Sequence, residues 1–301
     1  MIAEVAPAKV NLFLHVGPIR ADGLHDLASL FVFADDGDRI EAAPGDALSL
    51  KIKGPFASAL AGFPVESNLV WRAAEALAKE SGLAPRAALT LDKRLPVAAG
   101  IGGGSADAAA ALRALTRLWK LKISEASLAR LAFSLGADVP ACLYRRPVYV
   151  EGAGEVVGEG PRLPPLALAL VNPRVETPTG PIFKAFDAAN PAPDRPAFEA
   201  RAAFPDARAL AGYLAATRND LEPHAIAGQS VIGAARRFLA ECRGCLIARM
   251  SGSGATVFGL FESRAEADRA ATRAMAEGWW AMAAMLAGSG DPRKGGARGA
   301  Q

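Results

Sequence analysis

The chain has 301 residues, 51% hydrophobic and 22% charged, with 34 Lys+Arg against 31 Asp+Glu for a formal net charge of +3. These proportions fit a globular protein of one large or two ordinary domains and exclude a disordered or collagen-like chain. So small a charge excess gives no support to a nucleic-acid partner; three cysteines make no disulfide framework and point to a reducing compartment; and no apolar run reaches the ~18–20 residues of a membrane span.

Glu4 and Lys9 interrupt the first apolar stretch, which does not suit a signal peptide, so the expected setting is the cytoplasm, away from membranes. Residues 9–16 read as a strand in which Val10, Leu12 and Leu14 alternate with Asn11, Phe13 and His15. A loop follows over 18–25. Residues 27–33 and 39–42 read as strands separated by a turn at Asp35-Asp36-Gly37-Asp38, and 48–52 as another strand. Ser67 is the expected cap of a helix to about residue 80, stopped by Gly82. A strand at 89–91 leads to a glycine-rich loop, 100–104, and an alanine-rich helix to about 118; Ser124 caps a third helix that ends near Gly136.

Gly and Pro cluster over 158–165, which places a boundary between an N-terminal domain, 1–160, and a C-terminal domain, 161–287. Beyond it a buried strand is expected at 166–171, a Pro- and charge-rich surface loop at 190–205, and helices at 206–216 and 224–240. The last third reads as strand 246–250, a tight turn Ser251-Gly252-Ser253-Gly254, strand 256–261, a helix opened by a Ser263/Glu266 capping box, and strand 279–286. That order predicts a sheet packed on helices, an α+β layer. Residues 288–301, rich in Gly, Arg and Lys, read as a disordered tail. There is no internal repeat.

Leu95-Pro96-Val97-Ala98-Ala99-Gly100-Ile101-Gly102-Gly103-Gly104-Ser105-Ala106-Asp107 carries the strongest chemical signal. Small residues let a backbone approach a phosphate closely. The free N–H groups and dipole of the following helix favour an anion there. It is not a P-loop, because no Lys follows Gly104, and Ser105 breaks a dinucleotide fingerprint. A plain packing loop is the competing explanation.

Pro-x-x-x-Gly-x-Gly-Gly-Gly-Ser before an alanine-rich helix resembles the second motif of the GHMP kinases, which phosphorylate small molecules with ATP. Pro7-Ala8-Lys9-Val10-Asn11-Leu12 resembles their first motif and Met250-Ser251-Gly252-Ser253-Gly254-Ala255-Thr256 their third. The resemblance implies a two-domain α+β fold, with an N-terminal domain like the second domain of ribosomal protein S5 and a C-terminal ferredoxin-like α/β layer. Residues 6–14, Arg20 to Leu27, Gly136 to Pro140, Glu151 to Glu155, Thr179 to Phe183 and Asn219 to Glu222 are most similar to the branch acting on a cytidine diphosphate-linked methylerythritol.

The resemblance implies ATP and Mg²⁺ as cofactors and Pro96, Val97, Ala98, Ala99, Gly100, Ile101, Gly102, Gly103, Gly104, Ser105 and Ala106 as the ATP cradle, with Ser105 also a metal ligand. It implies Asp138 as general base and Lys9 as its partner cation, each of which alone would pass for a turn residue and a solvated strand end. Substrate contacts are expected from Asn11, Leu24, His25, Thr179, Phe183, Gly252, Ser253 and Gly254. The nucleobase is to be read by His25, Asn11 and Phe183. Leu24 stands where relatives place Tyr and offers no π face, so weaker stacking is expected. Ala98, Ala99 and Ala106 replace Gly, Gly and Ser or Thr of some relatives.

Cys242 and Cys245 have metal spacing but no second pair. Trp279-Trp280 reads as core, Arg145-Arg146 as a solvated turn or a phosphate attractor, and Arg293, Lys294 and Arg298 as parts of the tail. A monomer or weak homodimer is expected. Three functions stay open from sequence: this kinase, another GHMP kinase of homoserine or mevalonate type, and a non-catalytic nucleotide- or RNA-binding protein.

Overall fold

In the computed structural model, which describes residues 1–189, 194 and 197–288, the elements in chain order are β1 (Ile2–Ile19), β2 (His25–Ala43), β3 (Leu48–Lys53), α1 (Leu69–Glu80), β4 (Ala87–Asp92), α2 (Gly103–Leu118), α3 (Glu125–Leu135), α4 (Val139–Tyr144), β5 (Val148–Gly152), β6 (Val156–Glu159), β7 (Ala167–Asn172), α5 (Thr179–Ala189), α6 (Ala207–Ala215), α7 (Glu222–Gly228), α8 (Ser230–Ala240), β8 (Cys245–Met250), β9 (Val257–Phe261), α9 (Arg264–Ala276) and β10 (Trp280–Met285). Within the expected surface loop, residues 190–193, 195 and 196 lie outside the described residues, as does the expected tail beyond Gly288.

β1 and β2 form one long antiparallel hairpin. β2 continues the first sheet in the order β3-β4-β2-β5-β6, with β1 pairing to β2 outside that path. The second sheet runs β10-β7-β9-β8, with every neighbouring pair antiparallel. Numbered from β7, that order is 4-1-3-2, with α8 leading into β8 and α9 joining β9 to β10. The expected α+β class and ferredoxin-like C-terminal layer are therefore present. Among the described residues, no helix is long and apolar enough to cross a membrane.

The expected inward alternation in β1 is only half of its burial, because residues 6–17 are buried without a break. Val10 and Leu12 join Leu30 and Val32 in one core with Leu168, Leu170, Phe258 and Leu260 of the second sheet. On the opposite face Lys9 and Asn11 line the site, whereas Phe13, past a register shift after Asn11, joins the same core. A strand covered on both sides has no solvent face to mark. The alanines of α2, buried at every position from Ala108 to Ala111, have side chains short enough to let the helix lie close on β1 and β2.

Several local expectations change. Asp35 to Asp38 make no turn; β2 runs through them. Their polarity is satisfied by distant partners: Asp38 Oδ1 accepts from the Arg94 and Leu95 amides, and Asp35 Oδ1 from the Met285 amide. Asn68 rather than Ser67 caps α1, its Oδ1 accepting from the Val70 amide. Gly103 and Gly104 already belong to α2, capped by the left-handed Gly102. The expected helix at 224–240 is two, interrupted at Gln229. Ser124 and Ser263 cap as expected. Sequence reading gave no helix at 179–189, where Gly180 and Pro181 hide the pattern.

Beneath the glycine-rich segment lies a buried charged trio. Lys93 Nζ is 2.6 Å from Asp38 Oδ2 and 2.8 Å from Asp107 Oδ2, and all three side chains are buried. One cation faces two carboxylates, and Asp107 Oδ1 has no hydrogen-bond partner. Burial, only partly offset by Lys93, pushes the Asp107 carboxyl up to about 7. The unfolded chain releases this proton near pH 4. The group's contribution to stability is therefore full below about pH 4 and is lost as the pH rises towards 7. Urea unfolding between pH 5 and 8 is expected to show wild type losing stability relative to Asp107→Asn as pH rises; a pH-independent difference between the two proteins would contradict this.

Candidate active site

Lys9 sits in β1 with its side chain 4% exposed. Its Nζ is 2.8 Å from Asn11 Oδ1, 3.0 Å from Asp138 Oδ2 and 4.2 Å above the centre of the Phe31 ring. A buried ammonium needs such partners on several sides. Gly102 backs it: a Cβ there would lie 2.9 Å from Lys9 Cε, and φ is +61°, a combination that only glycine meets without strain.

Asp138 sits at the head of α4, where its side chain makes no cap hydrogen bond. It is aimed at Lys9 instead and stays 38% exposed, open to a ligand. Behind it, burial with the Asp138 charge pushes the Cys142 thiol up to about 12, so that sulfur is inert.

The glycine-rich segment is held from two sides. The Lys9 amide donates to the Ile101 carbonyl at 2.9 Å, and the Thr256 amide to the Ala99 carbonyl at 3.2 Å. The fully buried Ser251 joins three segments through one hydroxyl: Oγ donates to the Gly100 carbonyl at 2.9 Å and accepts from the Asn11 amide at 3.1 Å. Asn219 fixes the loop that carries it, its Nδ2 donating to the Met250 and Gly252 carbonyls, both at 2.8 Å.

These groups surround a cavity of about 640 Å³. Of the expected residues, Lys9, Asn11, Leu24, His25 and Asp138 line it, as do Ala98, Ala99, Gly100, Gly102, Gly103 and Ser105. Thr179, Phe183, Gly252 and Ser253 complete the wall, with Thr179 and Ser253 hydroxyls 3.0 Å apart. Pro96, Val97, Ile101, Gly104, Ala106 and Gly254 do not line it. Ile101 and Ala106 point into the core, Gly104 faces Leu69, and Gly254 faces Met250 and Thr177. Because α2 starts at Gly103, its turn carries Gly104 and Ala106 away from the cavity. Ser105, third in that helix, is no cap, and its hydroxyl makes no hydrogen bond to the described residues.

The structure separates Asn11 from the other residues expected to read a base. Its amide is committed to Lys9 and to Ser29 Oγ. His25 pairs with Ile19, eight residues further along β1, and at ~3.3 Å per residue one pyrimidine does not span that distance. His25 and Phe183 do meet, ring centres 4.9 Å apart. Arg145 and Arg146 lie elsewhere, paired with Glu4 and Glu159. Cys242 and Cys245 are free thiols raised by burial.

The family model for the GHMP kinases N terminal domain matches residues 68–146 and that for GHMP kinases C terminal matches 200–279. The chain belongs to the GHMP kinase family. This GHMP kinase is 50% identical over 289 residues to the 4-diphosphocytidyl-2-C-methyl-D-erythritol kinase of Paramagnetospirillum magneticum, covering 93% of this chain and 97% of that one. It is 48% identical over 293 residues to the enzyme of that name from Rhodospirillum rubrum, covering 95% and 93%. Among solved structures it superposes on a 4-(cytidine 5'-diphospho)-2C-methyl-D-erythritol kinase with a TM-score of 0.75 at 32% identity, covering 95% of this chain and 99% of that one. A homoserine kinase from Cytophaga hutchinsonii, TM-score 0.67 at 20% identity over 96% of both chains, shares the fold.

Ser251 and Asn219 stand within the motifs, but nothing in the local sequence marks what their side chains hold. Ser29, Phe31 and Asp187, which also line the cavity, carried no local signal, because only the β1–β2 pairing and α5 bring them there. Ser251→Ala leaves the buried Asn11 N–H and Gly100 carbonyl without their partner. The expected loss is about 1–3 kcal/mol of unfolding free energy in denaturant titration; a change within error of zero would show that water replaces the hydroxyl.

Proposed function

We propose that this GHMP kinase transfers the γ-phosphate of ATP to the 2-hydroxyl of 4-diphosphocytidyl-2-C-methyl-D-erythritol, a step of non-mevalonate isoprenoid-precursor synthesis. The observation that carries the reading is the Lys9–Asp138 contact of 3.0 Å in one cavity with the glycine-rich segment and the His25–Phe183 ring pair. The names of the relatives supply the substrate.

Asp138 takes the hydroxyl proton as that oxygen forms its bond to the γ-phosphorus, and the bond from phosphorus to the departing ADP oxygen breaks. Lys9, held by Asn11 over Phe31, balances the negative charge gathering on the attacking oxygen. The backbone N–H groups at the start of α2 receive the phosphates. Asp138 lies beside Lys9 and is 38% exposed on the cavity, which suits it to the proton and the buried Lys9 to the charge.

The donor set fits Mg²⁺. Ser105 presents an uncommitted hydroxyl to the cavity, and the described residues hold no group of three His, Cys, Asp or Glu able to cage a metal. Mg²⁺ keeps its waters and is held largely by substrate phosphates, so one hydroxyl suffices. When bound it would neutralise charge on the β- and γ-phosphates. We place the domain boundary at residues 160–161, between β6 and β7.

ADP release would be followed with ATP, Mg²⁺ and, in separate reactions, 4-diphosphocytidyl-methylerythritol, homoserine, mevalonate and galactose. Turnover is expected with the cytidylyl compound alone, and Asp138→Asn and Lys9→Ala are each expected to lower kcat by roughly 10²–10⁴. Preference for another alcohol would overturn the substrate. Full activity in Asp138→Asn would overturn the base.

Leu24 is 47% exposed at the cavity rim. Leu24→Tyr adds a ring face worth ~1 kcal/mol, so substrate affinity is expected to rise about fivefold. An unchanged Kd would remove Leu24 from the account of base binding.

A further inference from the structure

The turn that joins β5 to β6, Gly152-Ala153-Gly154-Glu155, packs against the residue that precedes Asp138. A Cβ on Gly154 would lie 2.7 Å from the Ala137 carbonyl oxygen and 3.1 Å from the Ala137 methyl. Its φ is +117°, so only glycine makes that approach without strain. Ala137, Asp138, Ala153 and Gly154 all line the cavity. Asp138 makes no cap hydrogen bond at the head of α4. Its side chain is therefore aimed by where the 137–138 backbone sits, and Gly154 is what that backbone rests on.

One carboxylate gives the turn its shape. Glu155 folds back over it: Oε2 accepts from the Ala153 amide at 2.6 Å, and Oε1 accepts from Arg20 Nη1. Gly152, with φ at +68°, makes room for that carboxyl, whose carbon lies 2.7 Å from where a Cβ would stand. Burial pushes the Glu155 carboxyl up, but hydrogen bonds from Arg20, its own amide and the Ala153 amide outweigh it and hold the group below the usual carboxylate range. Arg20 is itself anchored. Its Nη2 lies 3.0 Å from Asp22 Oδ2, its amide donates to the Leu24 carbonyl at 2.6 Å, and its carbonyl accepts from the Gly23 amide at 3.0 Å. The Arg20 and Glu155 side chains, 31% and 32% exposed, stand outside the cavity wall.

We propose that Glu155, clasped by Arg20, is a positioning residue for Asp138: it fixes the turn on which Ala137 rests and so holds the Asp138 carboxylate at Lys9. Standing outside the cavity, Glu155 acts on the reaction only through that turn. A half-exposed ion pair of this kind adds little to folding stability, whereas a displacement of about 1 Å at a reacting group lowers the rate by up to ~100-fold. Loss of Glu155 is therefore read in kcat far more than in unfolding. The inference rests on Asp138 as general base and does not depend on which alcohol is the substrate.

The test is steady-state kinetics on the full chain with ATP, Mg²⁺ and the alcohol that wild type turns over fastest in the ADP assay, with thermal unfolding of each variant alongside. Glu155→Ala is expected to lower kcat by roughly tenfold, with KM for ATP within about twofold and Tm within about 4 °C of wild type. Arg20→Ala, which opens the clasp from the surface side, is expected to lower kcat by roughly threefold, and the double variant to be no slower than Glu155→Ala alone. Introduced into Asp138→Asn, Glu155→Ala is expected to cost less than about twofold, because the base it positions is already gone. An unchanged kcat in both single variants, a loss confined to KM, or the same tenfold loss in the Asp138→Asn background would each overturn the proposal. Should Glu155→Ala fail to fold, Arg20→Ala in the wild-type and Asp138→Asn backgrounds decides by the same criteria. An impaired Asp138→Asn beside an unimpaired Glu155→Ala would overturn this proposal alone; full activity in Asp138→Asn would overturn the base and this proposal with it.

Discussion

A buried ammonium is tolerated only where partners replace its water, and meeting that demand at Lys9 brings four segments to one point. β1 supplies the lysine and Asn11, β2 the Phe31 ring, the head of α4 Asp138, and the glycine segment the backbone that closes behind the side chain. Removing a partner would leave the buried ammonium less compensated, a cost that solvent at the 38% exposed Asp138 reduces. The ammonium is therefore pinned, and whatever enters the cavity meets it at a fixed place. Phosphoryl transfer depends chiefly on such positioning.

The glycine segment in turn depends on the second sheet. A Cβ at Gly100 would lie 2.4 Å from the Ser251 carbonyl oxygen and 2.7 Å from that of Gly254. The loop between β8 and β9 and the loop before α2 thus touch backbone to backbone, with no side chain between them, and the Ser251 hydroxyl ties both to β1. Both halves of the chain therefore hydrogen-bond to the glycine segment. On the other side, the Lys93 trio anchors the start of α2, Asp107 lying in its first turns. The same helix start lines the cavity through Gly103 and Ser105 and is rooted in a buried charge cluster.

Much of this was legible in the residues. The buried run of β7, the caps at Ser124 and Ser263, and the alanine-rich α2 follow from local composition and capping chemistry, which one segment carries by itself. Residues of all three motifs, two of them glycine-bearing, line the cavity, and Lys9 and Asp138 are 3.0 Å apart. What was illegible depends on distant partners. Asp35 to Asp38 look like a turn because their polarity is satisfied by Arg94, Leu95 and Met285, remote in the chain. Asn11 was assigned to the base, yet its amide is already committed to Lys9 and Ser29. The hydroxyl of Ser251 has no local signature at all, since its two partners lie 151 and 240 residues away.

The two ends of the cavity differ in how they are built, and that difference bears on how one fold serves several substrates. At the Lys9 end the lysine and Asn11 are buried and hydrogen-bonded to each other, so a substitution of either disturbs the core. At the other end Leu24 and Asp187 stand partly in solvent on the hairpin tip and on α5, outside the interlocked hydrogen bonds that join β1, the glycine segment and the β8–β9 loop. Those two side chains are free to change without moving Lys9 or Asp138. A homoserine kinase 20% identical to this chain shares its fold, and fold alone does not fix the substrate.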